Sequence, residues 1–561
     1  MSWKLILILC AATIAAAQDA DPNKGGTNSS VSGTVRDAGT GTPLPNYNVS
    51  TYVGATWIND TILMGRQTKQ VKSVTDEQGH YKLSDLLPGS YRIEAASAED
   101  FGTRRQKRIT LTGQDLNNLD FAIVVSGKIS GKVVDENKEP VPDLAVTLVS
   151  KEYYAGVVGY FFKGRAKTND RGEYTLPRVE AGHPYLVMVD RDVRTLPAHS
   201  ETPLDPKLRR RIPMRTFYPN VPSKEGAEAI VLRPGENREH VDIEIKKAAN
   251  HCVDGNVVGP LGAGAMMFGI EPVQPSSGMS SGGGMFSAPP SGMTGPDGKF
   301  RICDLAPNTY RFTAADSAPS GQQMPSNFAL AQFVISDRDV TNVKVSLSPG
   351  LPIEGEMVWD GTPPDSRDTP KISLSLVPVG RSGWNGERPS ARSDVPGTFS
   401  FPNLASADYA VRTLVTTPGL YVKDVTYAGT SVLYEPLRLG GAIPGAGMRV
   451  IVGRDGATVS VRVSDKDGNP VPAMPVLVMP AEVASEAIVQ SSLVIGETDQ
   501  TGQYTSHTLA PGKYFVAAIA DPVNATTDSI DRLWRARRQF QAIDLAPGSS
   551  LPVTLMPLRL E

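Results

Sequence analysis

Asp499-Gln500-Thr501-Gly502-Gln503-Tyr504, followed by Leu509-Ala510-Pro511-Gly512-Lys513-Tyr514, reads as turn, strand, turn and strand. An Asp side chain can hydrogen-bond its own backbone two residues on, and Gly tolerates positive φ. Pro-Gly then marks the second bend, so the two tyrosine-bearing runs are expected to lie antiparallel. The pattern recurs at Asp76 to Tyr81 with Leu87 to Tyr91, and at Asn169 to Tyr174 with Ala181 to Tyr185. It recurs again at Gly295 to Phe300 with Ala306 to Tyr310, and at Asp394 to Phe399 with Tyr409. From turn glycine to second tyrosine the interval is 12 residues in four copies and 13 in the other. Such constancy marks an internal repeat.

Working outward, each copy opens on an alternating run. Examples are Val31-Ser32-Gly33-Thr34-Val35-Arg36-Asp37, Ile129-Ser130-Gly131-Lys132-Val133, Val253-Asp254-Gly255-Asn256-Val257, Ile353-Glu354-Gly355-Glu356-Met357 and Val459-Ser460-Val461-Arg462-Val463. A period of two is the signature of a strand buried on one face. Each copy closes on another alternating pair, as in Val241-Asp242-Ile243-Glu244-Ile245-Lys246, a pattern expected of an antiparallel sheet with one wet face. Counting these runs gives about seven strands in roughly 100 residues, the content of a β-sandwich. The expected fold is all-β, with five tandem seven-stranded sandwiches at 29–125, 126–249, 250–348, 349–454 and 455–561. The third carries a Gly/Met-rich loop at 259–296, and the five are expected to form a rod or arc. One helix is predicted at Ser529 to Phe540, with Asp528 as N-cap and Ile530, Leu533 and Trp534 on one face.

At 561 residues, with 53 Gly and 45 Pro, the chain exceeds one core and favours short strands over helices. A net charge of −3 gives no pull toward nucleic acid or anionic membrane. Lys4, the apolar run Leu5 to Ile14 and Ala15-Ala16-Ala17 read as a Sec-type signal peptide at 1–17, followed by a flexible leader at 18–28. No later segment has the apolar length of a membrane helix. The mature chain is therefore expected to be periplasmic, on the outer surface or secreted. Cys252 and Cys303 remain after signal removal and are a disulfide candidate in an oxidising compartment, with two buried thiols as the alternative.

The Gly-x-Val-x-Asp opening, the Asp-x-x-Gly-x-Tyr turn and the Leu-x-Pro-Gly-x-Tyr turn resemble those of the carboxypeptidase regulatory-like domain, here in tandem. That domain is one of the transthyretin-like (prealbumin-like) sandwiches. Thr168 to Tyr174, Phe217-Tyr218-Pro219 and Tyr421 to Val425 further resemble long exported multi-repeat proteins of soil bacteria such as Acidobacteria. The resemblance implies fold; the same sandwich hosts many roles. Three copies depart from the pattern: Ala-Gly-His-Pro at 181–184, Ser406-Ala407-Asp408, and Val461 where the opening Gly is expected.

No catalytic, cofactor or metal site is read from the chain. The six His, at 80, 183, 199, 240, 251 and 507, begin no His-Glu-x-x-His pair. Gly278-Met279-Ser280-Ser281-Gly282 lacks the strand and helix that flank a nucleophile elbow. Asp465-Lys466-Asp467-Gly468 lacks the distal Glu of a calcium loop and reads as a turn. The basic runs Arg104 to Arg108 and Arg209 to Arg211 are expected to be solvated loops. The aromatics Tyr153, Tyr154, Tyr160, Phe161 and Phe162, with Trp57, are the candidate ligand surface; Tyr52 and Trp384 belong to the same set. Their rings would anchor a partner or stack on sugar, or else face a core. The expected role is an exported, non-enzymatic structural or binding protein. Its partner would be a protein or cell-envelope component, with polysaccharide as the second reading and an enzyme as the third.

Overall fold

The computed structural model describes residues 28–58, 61–97, 104–154, 156–191, 211–260, 262, 264–273, 291–316, 325–362, 370–379, 389–415, 417, 419–440 and 446–560. The expected signal at 1–17 and residues 18–27 of the expected leader lie outside them, as do Trp384, Arg209 and Arg210.

In the first repeat the strands Ser29–Asp37, His80–Leu86 and Phe121–Ile123 form one sheet. Tyr47–Ile58, Thr61–Val74, Gly89–Ser97 and Arg104–Leu111 form the other. Val31, Val35, Leu83 and Phe121 of the first sheet meet Val49, Ile93 and Ile109 of the second in one buried cluster. The alternating apolar positions thus all point into the gap between two sheets, as the period of two requires. Four further clusters each draw on two sheets in the same way, so the protein is a tandem of all-β sandwiches, numbered here first to fifth in chain order.

The structure differs from the antiparallel expectation, because the two tyrosine-bearing strands of each repeat lie in opposite sheets. The opening strand of every sandwich pairs antiparallel with the turn-tyrosine strand but parallel with the closing strand, as in Val35 with Phe121 and Val461 with Val553. A parallel pair needs a long crossover, and here the whole intervening sandwich supplies it.

The repeated motif has a physical basis in each part. Asp499 Oδ1 accepts the amides of Thr501 at 2.9 Å and Gln503 at 3.0 Å; Asp76 and Asn169 hold their own turns in the same way. Asp465 makes this same turn through the amides of Asp467 and Asn469, so the carboxylate of the calcium-like fragment caps backbone. Gly131 faces Tyr174 across the ladder, and a Cβ on Gly131 would lie 2.1 Å from the Val241 carbonyl oxygen. The Tyr174 hydroxyl donates to that same oxygen at 2.6 Å. Tyr81 does likewise to Leu119 beside Gly33. In the fifth sandwich Val461 fills the glycine position, and the Tyr504 ring lies instead over Gly496, where a Cβ would come within 1.9 Å of it.

The second tyrosine closes a corner. Tyr91, Tyr310, Tyr409 and Tyr514 each donate their hydroxyl to the carbonyl four residues earlier, at 2.8 to 3.2 Å. The altered turn at Ser406 to Asp408 keeps this bond, whereas Tyr185 packs its ring edge against His183. Tyr514→Phe keeps the ring and removes one bond, so the fifth sandwich should lose about 1 kcal/mol in denaturant unfolding.

Two expectations on local structure are corrected. The tract 259–296 is not all loop: Met267–Pro272 and Ser291–Met293 pair as strands, and Phe268 stacks on Phe312 at 5.6 Å in the third core. The predicted helix is α2, Thr527–Ala536, preceded by α1, Glu486–Ser492, which has no counterpart in the sequence expectation. Thr526, not Asp528, caps α2, its hydroxyl accepting the Ser529 amide at 3.3 Å. Beyond Ala536 the chain tightens to a 3-10 turn over Arg537–Gln539.

Candidate interaction surfaces

The strands Leu144–Tyr154 and Val157–Lys167 form a hairpin in the second sandwich, and they carry the predicted aromatic surface. Its tip does not stand free. Tyr153 is buried in a cluster with Leu477, Met479, Val489, Ile530 and Leu533, all of the fifth sandwich and its helices. Its amide donates to the Ala525 carbonyl at 2.9 Å, and its hydroxyl donates to Asp531 at 3.1 Å. Burial, reinforced by Asp531, pushes the Tyr153 phenol up to about 12. Tyr154 and Val157 pack on Val377, Val379 and Ala410 of the fourth sandwich, with the Arg412 guanidinium 5.5 Å from the Tyr154 ring centre. Phe161 is buried. Glu152, also buried, is held by the Ser150 hydroxyl and by Lys163, each at 2.5 Å.

This corrects the expected ligand surface: Tyr153, Tyr154 and Phe161 are occupied within the chain. Half-buried Tyr160 carries the Lys224 ammonium 4.6 Å from its ring centre, and Phe162 is also half-buried. Trp57 lies on the strand Tyr47–Ile58, and its side chain is outside the described residues.

Of the expected rod or arc, the rod is corrected, because the fifth sandwich returns to the first. The Gln500 carboxamide donates to the Thr110 carbonyl at 2.9 Å and accepts the Thr110 amide at 3.3 Å. The basic run Arg104 to Arg108, expected as a loop, belongs to an edge strand at this junction, with the Arg108 guanidinium 5.9 Å from the Tyr504 ring centre. Burial raises Glu497 above the usual carboxylate range, against the pull of Arg105, Arg92, Lys107 and Arg108. The fifth sandwich reaches the fourth through the Gly419 amide, which donates to Thr508 Oγ1 at 3.3 Å.

Burial lowers the neighbouring His507 imidazole. A lowered folded-state pKa means the unfolded chain binds more protons. The stabilisation is therefore complete above the unfolded value, about 6.5, and is lost as pH falls below it. Thermal unfolding at pH 8 and pH 5 should show a downward shift at low pH that His507→Gln reduces.

Cys252 and Cys303 are joined as a disulfide between neighbouring strands of the third sandwich. Among the described residues, no group of three or more His, Cys, Asp or Glu could hold a metal ion. The Gly278 to Gly282 segment lies outside them. No helix among the described residues is long and apolar enough to cross a membrane. Between the third and fourth sandwiches lies a cavity of about 380 Å³, lined by Phe328, Leu330, Leu351, Leu404 and Leu439 among others. It adjoins the strand Asn327–Ile335, whose outer edge pairs only at Asn327 and Phe328 among the described residues.

Comparison with known proteins bears on the fold. Residues 30–124 match the carboxypeptidase regulatory-like domain. Colossin-A of Dictyostelium discoideum is 25% identical over a 269-residue alignment that covers 42% of this chain and 2% of that protein. The chain therefore spans a small fraction of that relative. Among solved structures, a streptococcal ancillary pilin is 13% identical over 57% of this chain and 99% of its own, with a TM-score of 0.18. Two B repeat units of the collagen-binding protein of Staphylococcus aureus are 13% identical over 71% of this chain and 94% of their own, with a TM-score of 0.13. Residues 30–124 are therefore similar to the carboxypeptidase regulatory-like domain, and they form the first in a tandem of β-sandwiches.

Proposed function

We propose that the chain is an exported, non-catalytic scaffold that presents loops and sheet edges to a protein or cell-envelope partner. The observation that carries this reading is the wedged hairpin, with Tyr153 buried against the fifth sandwich and half-buried Tyr154 packed on the fourth. Side chains committed to holding sandwiches in fixed relation suit a protein whose task is to position surfaces. The repeated motif residues have the same character, because their polar atoms are taken up by turns and corners. The signal-like residues 1–17 and the disulfide suit an oxidising compartment. The aromatic hairpin lends the polysaccharide reading little support, since Tyr153 and Phe161 are buried and the Tyr154 and Tyr160 rings already face the cations of Arg412 and Lys224.

The test is retention of envelope components by the immobilised mature chain at physiological salt. Saturable binding of a discrete component, without its chemical alteration, supports the scaffold reading. Turnover of an envelope substrate that a single substitution abolishes would make the protein an enzyme and overturn it.

A further inference from the structure

The strand Asn327–Ile335 pairs along its whole length with Asn308–Ala315 on one side. On the other side, among the described residues, Ser348–Pro349 pairs with Asn327 and Phe328 alone. The Asn327 carbonyl accepts the Asp316 amide on the inner side, and the Ser326 carbonyl accepts the Gly350 amide on the outer side. Backbone groups alternate along an antiparallel strand. The N–H and C=O groups of Leu330, Gln332 and Val334 therefore point to the open edge, where no strand pairs among the described residues.

This edge lacks the usual protection. From Asn327 to Ile335 there is no charged residue and no Pro, and the ladder to its neighbour runs without a bulge. Leu330 is 57% and Val334 63% exposed. The corresponding edge of the first sandwich, Arg104–Leu111, carries Arg104, Arg105, Lys107 and Arg108 and is capped by Gln500. Charged residues and caps are how proteins keep edges from pairing.

We propose that this edge pairs with the same edge of a second copy of the chain, antiparallel about a twofold axis at Gln332. The free stretch 329–335 is centred on Gln332, with Leu330 and Val334 equally spaced about it. The axis sets Gln332 opposite itself and Leu330 of one copy opposite Val334 of the other. Each of these residues then exchanges its N–H and C=O with the residue facing it. The exposed apolar side chains meet on one face, and no charged residue lies within the paired stretch. The new ladder continues the one that Ser348–Pro349 begins and extends the apolar surface of the adjoining cavity. So short an edge covers less than the ~1,200 Å² at the lower bound of stable complexes, so the pairing is weak and concentration-dependent. The inference deepens the scaffold reading by naming one partner and rests on it only for the existence of a presented edge.

The test uses the mature chain carrying Gln332→Cys, with the native cysteines already bonded to each other. Facing residues of a hydrogen-bonded antiparallel pair lie ~5.5 Å apart at Cα, within reach of a disulfide. Mild oxidation should give a covalent dimer at least ~10-fold faster than Gln541→Cys, an exposed control on an edge strand of the fifth sandwich. Sedimentation velocity of the unmodified chain should show dimer rising with concentration and saturating there. Leu330→Lys with Val334→Lys, both on the exposed face, should weaken association at least tenfold with an unchanged circular dichroism spectrum. A monomer at all concentrations, equal cross-linking of the two cysteine variants, growth past dimer, or binding only of foreign peptides would overturn the pairing. A monomeric result leaves retention of an envelope component, the test of the scaffold reading, unaffected.

Discussion

Tyr153→Ala is expected to detach the second sandwich's hairpin from the fifth, at a cost of about 3–5 kcal/mol, the range for removing a buried aromatic ring. The ring fills a cluster built from two strands, Pro475–Pro480 and Gly512–Ile519, and both helices of the fifth sandwich, and its amide and hydroxyl bond partners hundreds of residues away. A cavity there has little means of closing, because both sides are held by their own sandwich cores. Hydrogen exchange should quicken in α1 and α2 while the second core stays protected. Tyr153→Phe separates the contributions: it keeps the ring, loses only the bond to Asp531, and should cost about 1 kcal/mol. Equal effects of Ala and Phe would mean that the ring's burial contributes nothing.

Gly131→Ala should have the next largest effect, about 3 kcal/mol, at the upper end for overpacking a close-packed site. The added methyl would lie 2.1 Å from the Val241 carbonyl oxygen, far inside van der Waals contact, and the obstacle is backbone. The closing strand would have to move away from the opening strand. That movement would also break the bond from Tyr174, whose hydroxyl reaches the same oxygen. Thermal unfolding of the mature chain should show an early transition. An unchanged melting profile would contradict the close approach.

The same residues explain why much of the fold was legible in the sequence. A turn carboxylate, a turn glycine and an aromatic facing glycine act within one or two neighbouring strands, so their spacing is written locally and repeats with the fold. Even the departures have local causes, since Val461 removes the space above the opening strand and the Tyr504 ring moves over Gly496. The candidate surfaces were much less legible. Tyr153 and Tyr154 have the composition of a ligand-binding loop, and nothing near them in sequence signals Asp531 or Arg412 as their neighbours. The charged strand Arg104–Leu111 looks like a solvated loop until Gln500 and Tyr504 are set beside it. Strand direction was hidden for a related reason: alternation reports which face is buried and carries no record of which way a neighbour runs. α1 was missed because it is only seven residues long, too short to show a helical period.

The central claim is that the hairpin of the second sandwich is built into the fifth, fixing how the sandwiches are presented. It is tested most directly at one backbone group, the Tyr153 amide, whose partner is the Ala525 carbonyl at 2.9 Å. Hydrogen exchange resolved to that amide in the intact mature chain should be slowed roughly 100-fold or more relative to an open peptide, the level set by a sub-global opening. Exchange at the rate of an unprotected amide, with the second core still protected, would show the hairpin standing free and would contradict the account.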